Sequence, residues 1–508
     1  MFRTLSLVSA AALGLAATAS AVAETPEGPA ASLDAFLDEF PDLGPGYAVV
    51  VVTADEVLMR RVQGERRAVS GAPMTTDTPI YIASQTKAYM GLLAARLDAE
   101  GVLSLDSRIT DHWPDLQFPD GLDAADWTLR DLITHQVPID VDIITMLEAY
   151  VGYVDPADYP RLIEAYAVAR EPGFQYDNLG YNIYGAILES VTGRSWQDWL
   201  DVHILDPLEM ERTSARTSDF DTSELSWGHH WVGEDVGWFE IHPKTDGMMQ
   251  SAGGLVTSVD DMAMWLQLQL RGEGPEGSGI TAEMVSAAQT GYVETHQQDR
   301  RNAAELPCSH YALGWNICDF EGHDFYVHGG GYTGIRTQMA FSPDLGVGIA
   351  AFSNSDNMTG WLTSRTINMY FQFLIEHETA DRMRQIRIEQ YPQRIQRYLD
   401  HRMEQRNSAM ADESWGGWSW APDPETLSAY AGRWTTGEPY LDIEIASVGP
   451  ALVFSWGDMS ASMVPAAPDL FGVLTSLFGD LHAFRFERDD AGEIVELVWD
   501  GRVYTRAE

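Results

Sequence analysis

Hydrophobic positions in the first 350 residues form short runs typical of strands at both ends and follow a helical period in the middle. A continuous β-branched run at 47–52, a turn and a second run at 57–62 predict a hairpin at the edge of an antiparallel sheet. Further strands are predicted later in this segment, at 311–317, 325–328, 337–341 and 347–352.

Between these strands, apolar side chains recur at helical spacing. Helices with polar caps or glycine ends are predicted at 183–191, 196–202 and 260–270. Strands at both ends of a segment with a helical middle indicate one antiparallel sheet flanked by helices, with an all-helical insert. The predicted fold class is therefore α+β, over a domain of residues 24–375.

The pattern changes twice after this domain. Residues 361–406 are helical and rich in arginine, and Trp, Gly and Pro residues at 414–424 mark a boundary. We therefore predict a helical linker at 376–422 and a second domain at 423–508. Alternating short strands predict that this second domain is a small all-β barrel, with strands at 441–445, 452–456, 483–488, 494–499 and 503–505.

Composition restricts the classes of function. The chain has 508 residues, of which 45% are hydrophobic, so it can bury a sizeable core. Its net charge of −44 indicates a strongly solvated acidic surface and argues against nucleic-acid binding, which needs clustered Lys and Arg. Beyond the N-terminal segment no apolar run of about 20 residues occurs, so we expect no membrane insertion.

Residues 1–23 are predicted to be a signal peptide. Arg3 supplies the positive charge, residues 5–17 form the apolar segment, and Ala21-Val22-Ala23 is a small-residue cleavage site. We therefore expect the mature protein to be periplasmic or secreted.

The chain has two cysteines, Cys308 and Cys318, whose pairing depends on the redox conditions of the compartment. An oxidising compartment favours their pairing, whereas the strand predicted at 311–317 would hold them too far apart for a disulfide. The sequence leaves this pairing open.

Ser84 and Lys87 lie three residues apart, where an apolar extended run gives way to a helical pattern. Side chains at i and i+3 share a helix face, so the lysine amine can assist deprotonation of the serine hydroxyl. Of the 32 Lys and Arg residues only two are lysines, Lys87 and Lys244. Because arginine does not release its proton and a buried lysine can, a lysine at this position indicates chemistry that needs an amine.

Two further motifs follow in order, Tyr176-Asp177-Asn178 and His328-Gly329-Gly330. With Ser84-x-x-Lys87, this order resembles the serine β-lactamase and penicillin-binding family. The similarity is to the branch of class C β-lactamases, D-aminopeptidases, D-alanyl-D-alanine carboxypeptidases and esterases, in which a lipocalin-like C-terminal domain also occurs. The resemblance implies a β-lactamase/transpeptidase-like fold and no cofactor.

The resemblance also implies roles for the motif residues. Ser84 would form an acyl-enzyme, and Lys87 and Tyr176 would share the proton transfers, with a phenolate as base if the ammonium lowers the tyrosine pKa. Asn178 would position Lys87 or a substrate amide, and His328 would donate to Tyr176 or to a substrate carboxylate. The oxyanion and substrate-binding set would be Ser84 with Gly329, Gly330 and Gly331, in which the Gly331 and Ser84 N–H groups form the oxyanion hole.

Two departures bear on the substrate. A histidine stands in the third motif where β-lactamases have lysine, and Gln136-Val137-Pro138-Ile139 replaces the usual Thr-Ser-Gly-Leu. The first favours a peptidase or amidase on small D-amino-acid or peptide substrates over a β-lactamase. A carboxylesterase or β-lactamase of the same architecture and a penicillin-binding sensor without turnover remain as alternatives, and the oligomeric state stays open.

Other polar residues receive a structural interpretation. Lys244 is interpreted as a loop lysine, because it precedes Ala252-Gly253-Gly254 and so cannot be the third motif. His229, His230 and His242 lack the spacing of a ligand set, so no metal site is predicted.

Overall fold

The computed structural model describes residues 26–40, 43–119, 121–233, 237–295, 307–438, 440–474 and 481–507. The predicted signal segment at 1–23 lies outside the described residues. The α-helices are α1 Gly28–Leu37, α2 Thr86–Ala99, α3 Ile109–His112, α4 Leu129–Ile133, α5 Asp142–Met146, α6 Tyr159–Tyr166, α7 Leu179–Thr192, α8 Trp196–Leu200, α9 Gln250–Gly253, α10 Val259–Arg271, α11 Ala282–Gln289, α12 Leu362–Leu374, α13 Ala380–Ala411 and α14 Pro424–Ser428.

The strands fall into one large sheet, one barrel and three short ribbons. Those before the barrel are β1 Gly46–Val52, β2 Val57–Arg67, β3 Ala72–Pro73, β4 Ile80–Tyr81, β5 Ile139–Asp140, β6 Val168–Ala169, β7 Gly228–Trp231, β8 Trp238–Ile241, β9 Val256–Thr257, β10 Val293–Glu294, β11 Cys308–Tyr311, β12 Asn316–Phe320, β13 His323–Tyr332, β14 Ile335–Ser342 and β15 Val347–Ser353. Those of the barrel are β16 Gly432–Thr435, β17 Ile443–Val448, β18 Ala451–Trp456, β19 Met459–Ala467, β20 Leu470–Leu474, β21 Leu481–Arg488, β22 Ile494–Trp499 and β23 Arg502–Arg506.

The large sheet is antiparallel, in the order β10-β11-β12-β13-β14-β15-β1-β2-β3. The hairpin of β1 and β2 is confirmed, but its predicted place at the edge is wrong, because β1 pairs with β15 on its other side. Every residue of β1 is buried, so its continuous apolar run reflects two covered faces.

Alternate residues of β1 enter two different cores. Ala48, Val50 and Val52 belong to the core that contains residues of α2 and α10, and their neighbours along the strand belong to the core built with α1 and α12. Helices on both faces of one antiparallel sheet confirm the predicted α+β class. The sheet is thereby fixed from both sides.

The segment between the two cysteines differs from the prediction. A tight turn at 312–315, with Gly314 at φ +84°, joins β11 to β12, so residues 311–317 are a hairpin and not one strand. Cys308 therefore lies opposite Cys318, and the two form a disulfide. The turn packs inward and therefore contains apolar residues. These residues gave the sequence at 311–317 the pattern of a strand.

Most other predicted elements are found, some with altered lengths. The strands at 325–328, 337–341 and 347–352 lie within β13, β14 and β15, and the helices at 183–191 and 260–270 lie within α7 and α10. The helix predicted at 196–202 ends as an α-helix at Leu200 and continues as a π-helical turn. The helical run at 361–406 is divided into α12 and α13.

The C-terminal strands close into an eight-stranded barrel whose interior is filled largely by aromatic side chains. The predicted all-β class is confirmed, but β16, β19 and β20 were not predicted. The run of small and polar residues in β19, such as Ser460, Ala461 and Ser462, gives little hydrophobic contrast between the two faces of that strand.

One glycine in α2 fixes how the helix meets the sheet. A Cβ at Gly91 would lie 2.0 Å from the carbonyl oxygen of Leu313 in the β11–β12 turn. Helix propensity alone predicts that Gly91→Ala stabilises the protein by about 1 kcal/mol. We expect the opposite, a loss of about 1–3 kcal/mol, because the backbone of the turn cannot move away without disturbing the core.

Urea denaturation of Gly91→Ala measures this change in the free energy of unfolding. Ala99→Gly, at the exposed end of the same helix, gives the propensity effect without a close contact. A Gly91→Ala protein more stable than the wild type would contradict the proposed packing.

Candidate active site

Ser84 lies in a 3₁₀ turn, Ala83–Gln85, that leads directly into α2. The preceding residue, Ala83, has φ +47°, a conformation that costs free energy for a residue with a Cβ. Thr86 holds this turn by donating to the Ala83 carbonyl at 2.7 Å and accepting from the Leu255 N–H at 3.0 Å. The serine is thus presented at the helix start by contacts to a distant segment.

The Lys87 amine is fully buried one turn after the serine. Its Nζ lies 3.2 Å from Ser84 Oγ, 2.8 Å from Asn178 Oδ1 and 2.7 Å from the Ala252 carbonyl oxygen. Burial lowers the lysine pKa to about 7, against a smaller opposing effect of the Asp177 carboxylate. A neutral amine, able to accept the serine proton, is therefore well populated near neutral pH.

Tyr176 shares this site and hydrogen-bonds with Ser84. Tyr176 as a residue is 45% exposed and lines the cavity, and the Lys87 Nζ lies 5.1 Å from its ring centroid. Desolvation raises the tyrosine pKa above its ordinary value and outweighs the hydrogen bond with Ser84, which lowers it. The condition for a phenolate base is not met, so Tyr176 is a protonated phenol that can relay a proton.

The structure brings Asn178 to the same point. Its side-chain oxygen accepts from Lys87, and the residue lies at the start of α7 and lines the cavity. This is the contact expected for a residue that positions the amine.

His328 lies behind the site and does not have the arrangement expected from the sequence. Its Nδ1 donates to the Gly329 carbonyl at 2.8 Å, so Nε2 is an acceptor, 3.3 Å from the Tyr311 hydroxyl. Burial lowers the histidine pKa to about 3. The expected donation to Tyr176 or to a substrate carboxylate is therefore wrong for this arrangement, because the ring is neutral, buried and absent from the cavity wall.

The three glycines after His328 differ in what they contribute. A Cβ at Gly330 would lie 2.0 Å from the Ile82 carbonyl oxygen, so this glycine allows β13 to press against the Ser84 turn. A Cβ at Gly329 would meet Gln338 at 2.7 Å. Gly331 lines the cavity together with Ser84, where its backbone can approach a bound carbonyl.

Sequence reasoning assigned no role to the polar groups that surround this site. Asp177 pairs with Arg170, and its negative charge partly opposes the lowering of the Lys87 pKa. His135 is buried between aromatic rings, and Tyr176 is the nearest of these, with its ring centroid at 4.6 Å. Asp177 stands inside the Tyr176-Asp177-Asn178 motif, and His135 directly precedes Gln136-Val137-Pro138-Ile139, but only the fold shows what the two side chains contact.

The cavity in front of Ser84 has a volume of about 990 Å³ and is lined by both domains. Asp500 and Arg502, beside the turn between β22 and β23 of the barrel, form part of its wall. The rest of the lining comes from the first domain and includes Asp142, Ile143, Thr145, Met146, Ala149, Tyr150, His230, Met249, Tyr332, Thr333, Arg336 and Asp356. The barrel therefore contributes to the shape of the cavity.

The second lysine and the three histidines that received a structural interpretation lie in a loop and along one β-ribbon. Lys244 is buried in a loop, where its Nζ donates to the carbonyls of Ala215 and Thr245 at 3.2 Å. His229 and His230 lie on β7 and His242 just beyond β8. Across the described ranges, no group of three or more His, Cys, Asp or Glu side chains is arranged to hold a metal.

The profile of the beta-lactamase family matches residues 33–366. The chain belongs to the beta-lactamase family. The matched part of the chain has the beta-lactamase fold and is followed by a closed β-barrel.

Similar proteins agree with this assignment. Protein flp of Staphylococcus aureus (strain MW2) is 23% identical over 319 residues, 61% of this chain and 59% of that protein. The chain thus spans less than two thirds of this relative. A D-amino acid amidase of Ochrobactrum anthropi SV3 superposes with a TM-score of 0.55 at 20% identity, over 68% of this chain and 98% of the amidase.

An octameric penicillin-binding protein homologue from Pyrococcus abyssi is similar over a longer range. It superposes with a TM-score of 0.57 at 20% identity, over 94% of this chain and 99% of the homologue. At this identity the similarity concerns the fold. None of the helices described here is long and apolar enough to cross a bilayer.

The lowered pKa of Lys87 predicts a rising pH profile for acylation of Ser84. The amine accepts the Ser84 proton only when neutral, so the acylation rate is expected to rise through about pH 7 and then level off. The rate of inactivation by a fluorophosphonate between pH 5.5 and 9 measures this step. A rate that falls or stays constant over this range would contradict the role of the amine.

Lys87→Arg is expected to slow the same reaction by about 10²–10⁴-fold, because a guanidinium stays charged. Lys244→Arg changes the other buried lysine, which does not line the cavity, and serves as the matched control.

Proposed function

We propose that this chain hydrolyses amide bonds of small D-amino-acid or peptide substrates through an acyl-enzyme on Ser84. The observation that carries the proposal is the buried Lys87 amine, 3.2 Å from the serine hydroxyl and titrating near neutral pH. The substrate class is taken from the D-amino acid amidase to which the fold is similar.

The proposed reaction has two symmetrical halves. Ser84 Oγ bonds to the acyl carbon while its proton passes to Lys87, and the C–N bond breaks as a proton reaches the leaving amine through Tyr176. A water molecule then attacks the ester and gives its proton to the same relay. The bond between Ser84 Oγ and the acyl carbon breaks as Oγ takes that proton back, and the acid is released. The Ser84 and Gly331 N–H groups would stabilise the oxyanion in both halves.

The neutral His328 supports this substrate class over β-lactams. A lysine in the third motif carries a positive charge into the site, whereas a buried imidazole with a lowered pKa carries none. We therefore propose turnover of amides and activated esters ahead of turnover of lactams.

A panel of D-alanine p-nitroanilide, p-nitrophenyl acetate and nitrocefin tests the proposal. We expect repeated turnover of the anilide, and loss of at least about 10³-fold in Ser84→Ala, because no other nucleophile replaces the hydroxyl. Turnover of the acetate alone would identify an esterase. A single stoichiometric burst without a steady state would identify a sensor.

Tyr176→Phe tests the proposed proton relay. Removal of the hydroxyl is expected to lower kcat by about 10²–10⁴-fold with a smaller effect on KM, because it acts on proton transfer. Tyr153→Phe, an exposed tyrosine that does not line the cavity, is the matched control. Equal kinetics of Tyr176→Phe and the wild type would exclude the relay.

We also propose that the protein is exported after cleavage behind Ala23. The charged and apolar pattern of residues 1–23 supports this, as does the disulfide between Cys308 and Cys318, since such bonds persist in oxidising compartments. N-terminal sequencing of protein from the cell envelope is expected to begin at Glu24. Full-length protein confined to the cytoplasm would contradict export.

A further inference from the structure

His135 contacts the residues on both sides of Tyr176. Its carbonyl oxygen accepts from the Gln175 N–H at 3.0 Å, and its Nδ1 accepts from the Asp177 N–H at 3.4 Å. Tyr176 lies between these two residues, in an irregular segment before α7. One residue therefore holds the backbone immediately before and immediately after the phenol of the active site.

The side chain of His135 also packs against the phenol ring. The ring centroids of His135 and Tyr176 lie 4.6 Å apart, and only 1% of His135 is exposed. Tyr311, Tyr181 and Phe174 surround the imidazole at centroid distances of 4.8, 5.6 and 5.7 Å. The imidazole is thus enclosed by aromatic rings, of which that of Tyr176 is the nearest.

The backbone of His135 has an unusual conformation that makes both contacts possible. The residue follows α4 with φ +60°, in the left-handed region, where a residue with a Cβ is strained. Its own N–H donates to the Leu132 carbonyl at 3.1 Å. In this conformation the carbonyl oxygen and the imidazole of one residue both reach the segment 175–177.

Packing alone does not explain a histidine at this position. Because a backbone N–H only donates, Nδ1 is the acceptor and the ring proton is on Nε2. Burial lowers the pKa of His135, which agrees with a neutral ring. Among the residues that the structure describes, the buried Nε2 has no hydrogen-bond partner, which destabilises the folded state. An apolar side chain would avoid this cost, so the acceptor at Nδ1 is what the histidine adds.

We propose that His135 is the positioning residue of Tyr176, because its Nδ1 and its carbonyl oxygen fix the segment that carries the phenol beside Ser84. The inference rests on the proposed proton relay through Tyr176. His135 does not line the cavity in front of Ser84, so it acts through Tyr176 and not on the substrate. Displacement of a reacting group by about 1 Å can slow a reaction about 10²-fold, so loss of the acceptor is expected to lower kcat.

Two variants of similar size test the acceptor. His135→Asn keeps an oxygen where Nδ1 lies and tolerates a positive φ, whereas His135→Leu places a methyl group there. For D-alanine p-nitroanilide we expect kcat within about threefold of the wild type in His135→Asn, and a loss of about 10- to 100-fold in His135→Leu with a smaller change in KM. A packing role predicts the reverse order, because leucine suits an apolar environment better than asparagine.

The same substitution in a Tyr176→Phe background separates positioning from a general loss of structure. If His135 acts through the phenol hydroxyl, His135→Leu lowers kcat by less than about threefold once that hydroxyl is absent. Titration of Ser84 with a fluorophosphonate gives the concentration of folded sites, so that kcat is expressed per active site. A loss of the same size in both backgrounds would contradict the positioning role.

Crystal structures of the two variants measure the position of Tyr176 without any substrate. We expect its hydroxyl oxygen to lie at least about 1 Å farther from Ser84 Oγ in His135→Leu, and to keep its place in His135→Asn. This displacement, in a protein that does not turn over the anilide, would overturn the proposed function alone. An undisplaced Tyr176 in His135→Leu would overturn the role of His135.

Discussion

The site depends on an amine that is buried without direct contact to a carboxylate. Lys87 donates to a hydroxyl, an amide oxygen and a backbone carbonyl, all of them neutral acceptors. Such partners satisfy the hydrogen bonds of an ammonium but do not compensate the loss of hydration of its charge, so the pKa falls. A carboxylate in contact with Lys87 would stabilise the charged ammonium and raise its pKa. Asp177 does not make this contact, because it pairs with Arg170.

This arrangement requires three distant segments to meet within hydrogen-bond distance. Ser84 and Lys87 come from the start of α2, Asn178 from the start of α7, and Ala252 from α9. The sheet provides the rigid support, because its central strands are covered on both faces. The unfavourable conformation of Ala83 persists for the same reason, since the contacts around the turn determine it.

The barrel forms part of the wall of the cavity in front of Ser84 and is not only an appended domain. Its loops contact the rim of the first domain, where Asp458 N donates to the Val151 carbonyl at 2.8 Å and Tyr440 accepts from the Asp155 N–H at 3.2 Å. The turn that carries Asp500 and Arg502 then completes the wall. The cavity is therefore bounded by both domains, whereas Ser84, Lys87 and Tyr176 all belong to the first.

The sequence alone determined the elements that depend on local pattern. The Ser84–Lys87 spacing at a helix start, the capped helix at 260–270 and the β class of the C-terminal region follow from spacing, capping and alternation. Tertiary structure decided the rest. Desolvation and contacts between segments far apart in the chain decide which strand is central, that Cys308 meets Cys318 and that His328 is neutral. Neither is encoded in the spacing of neighbouring residues.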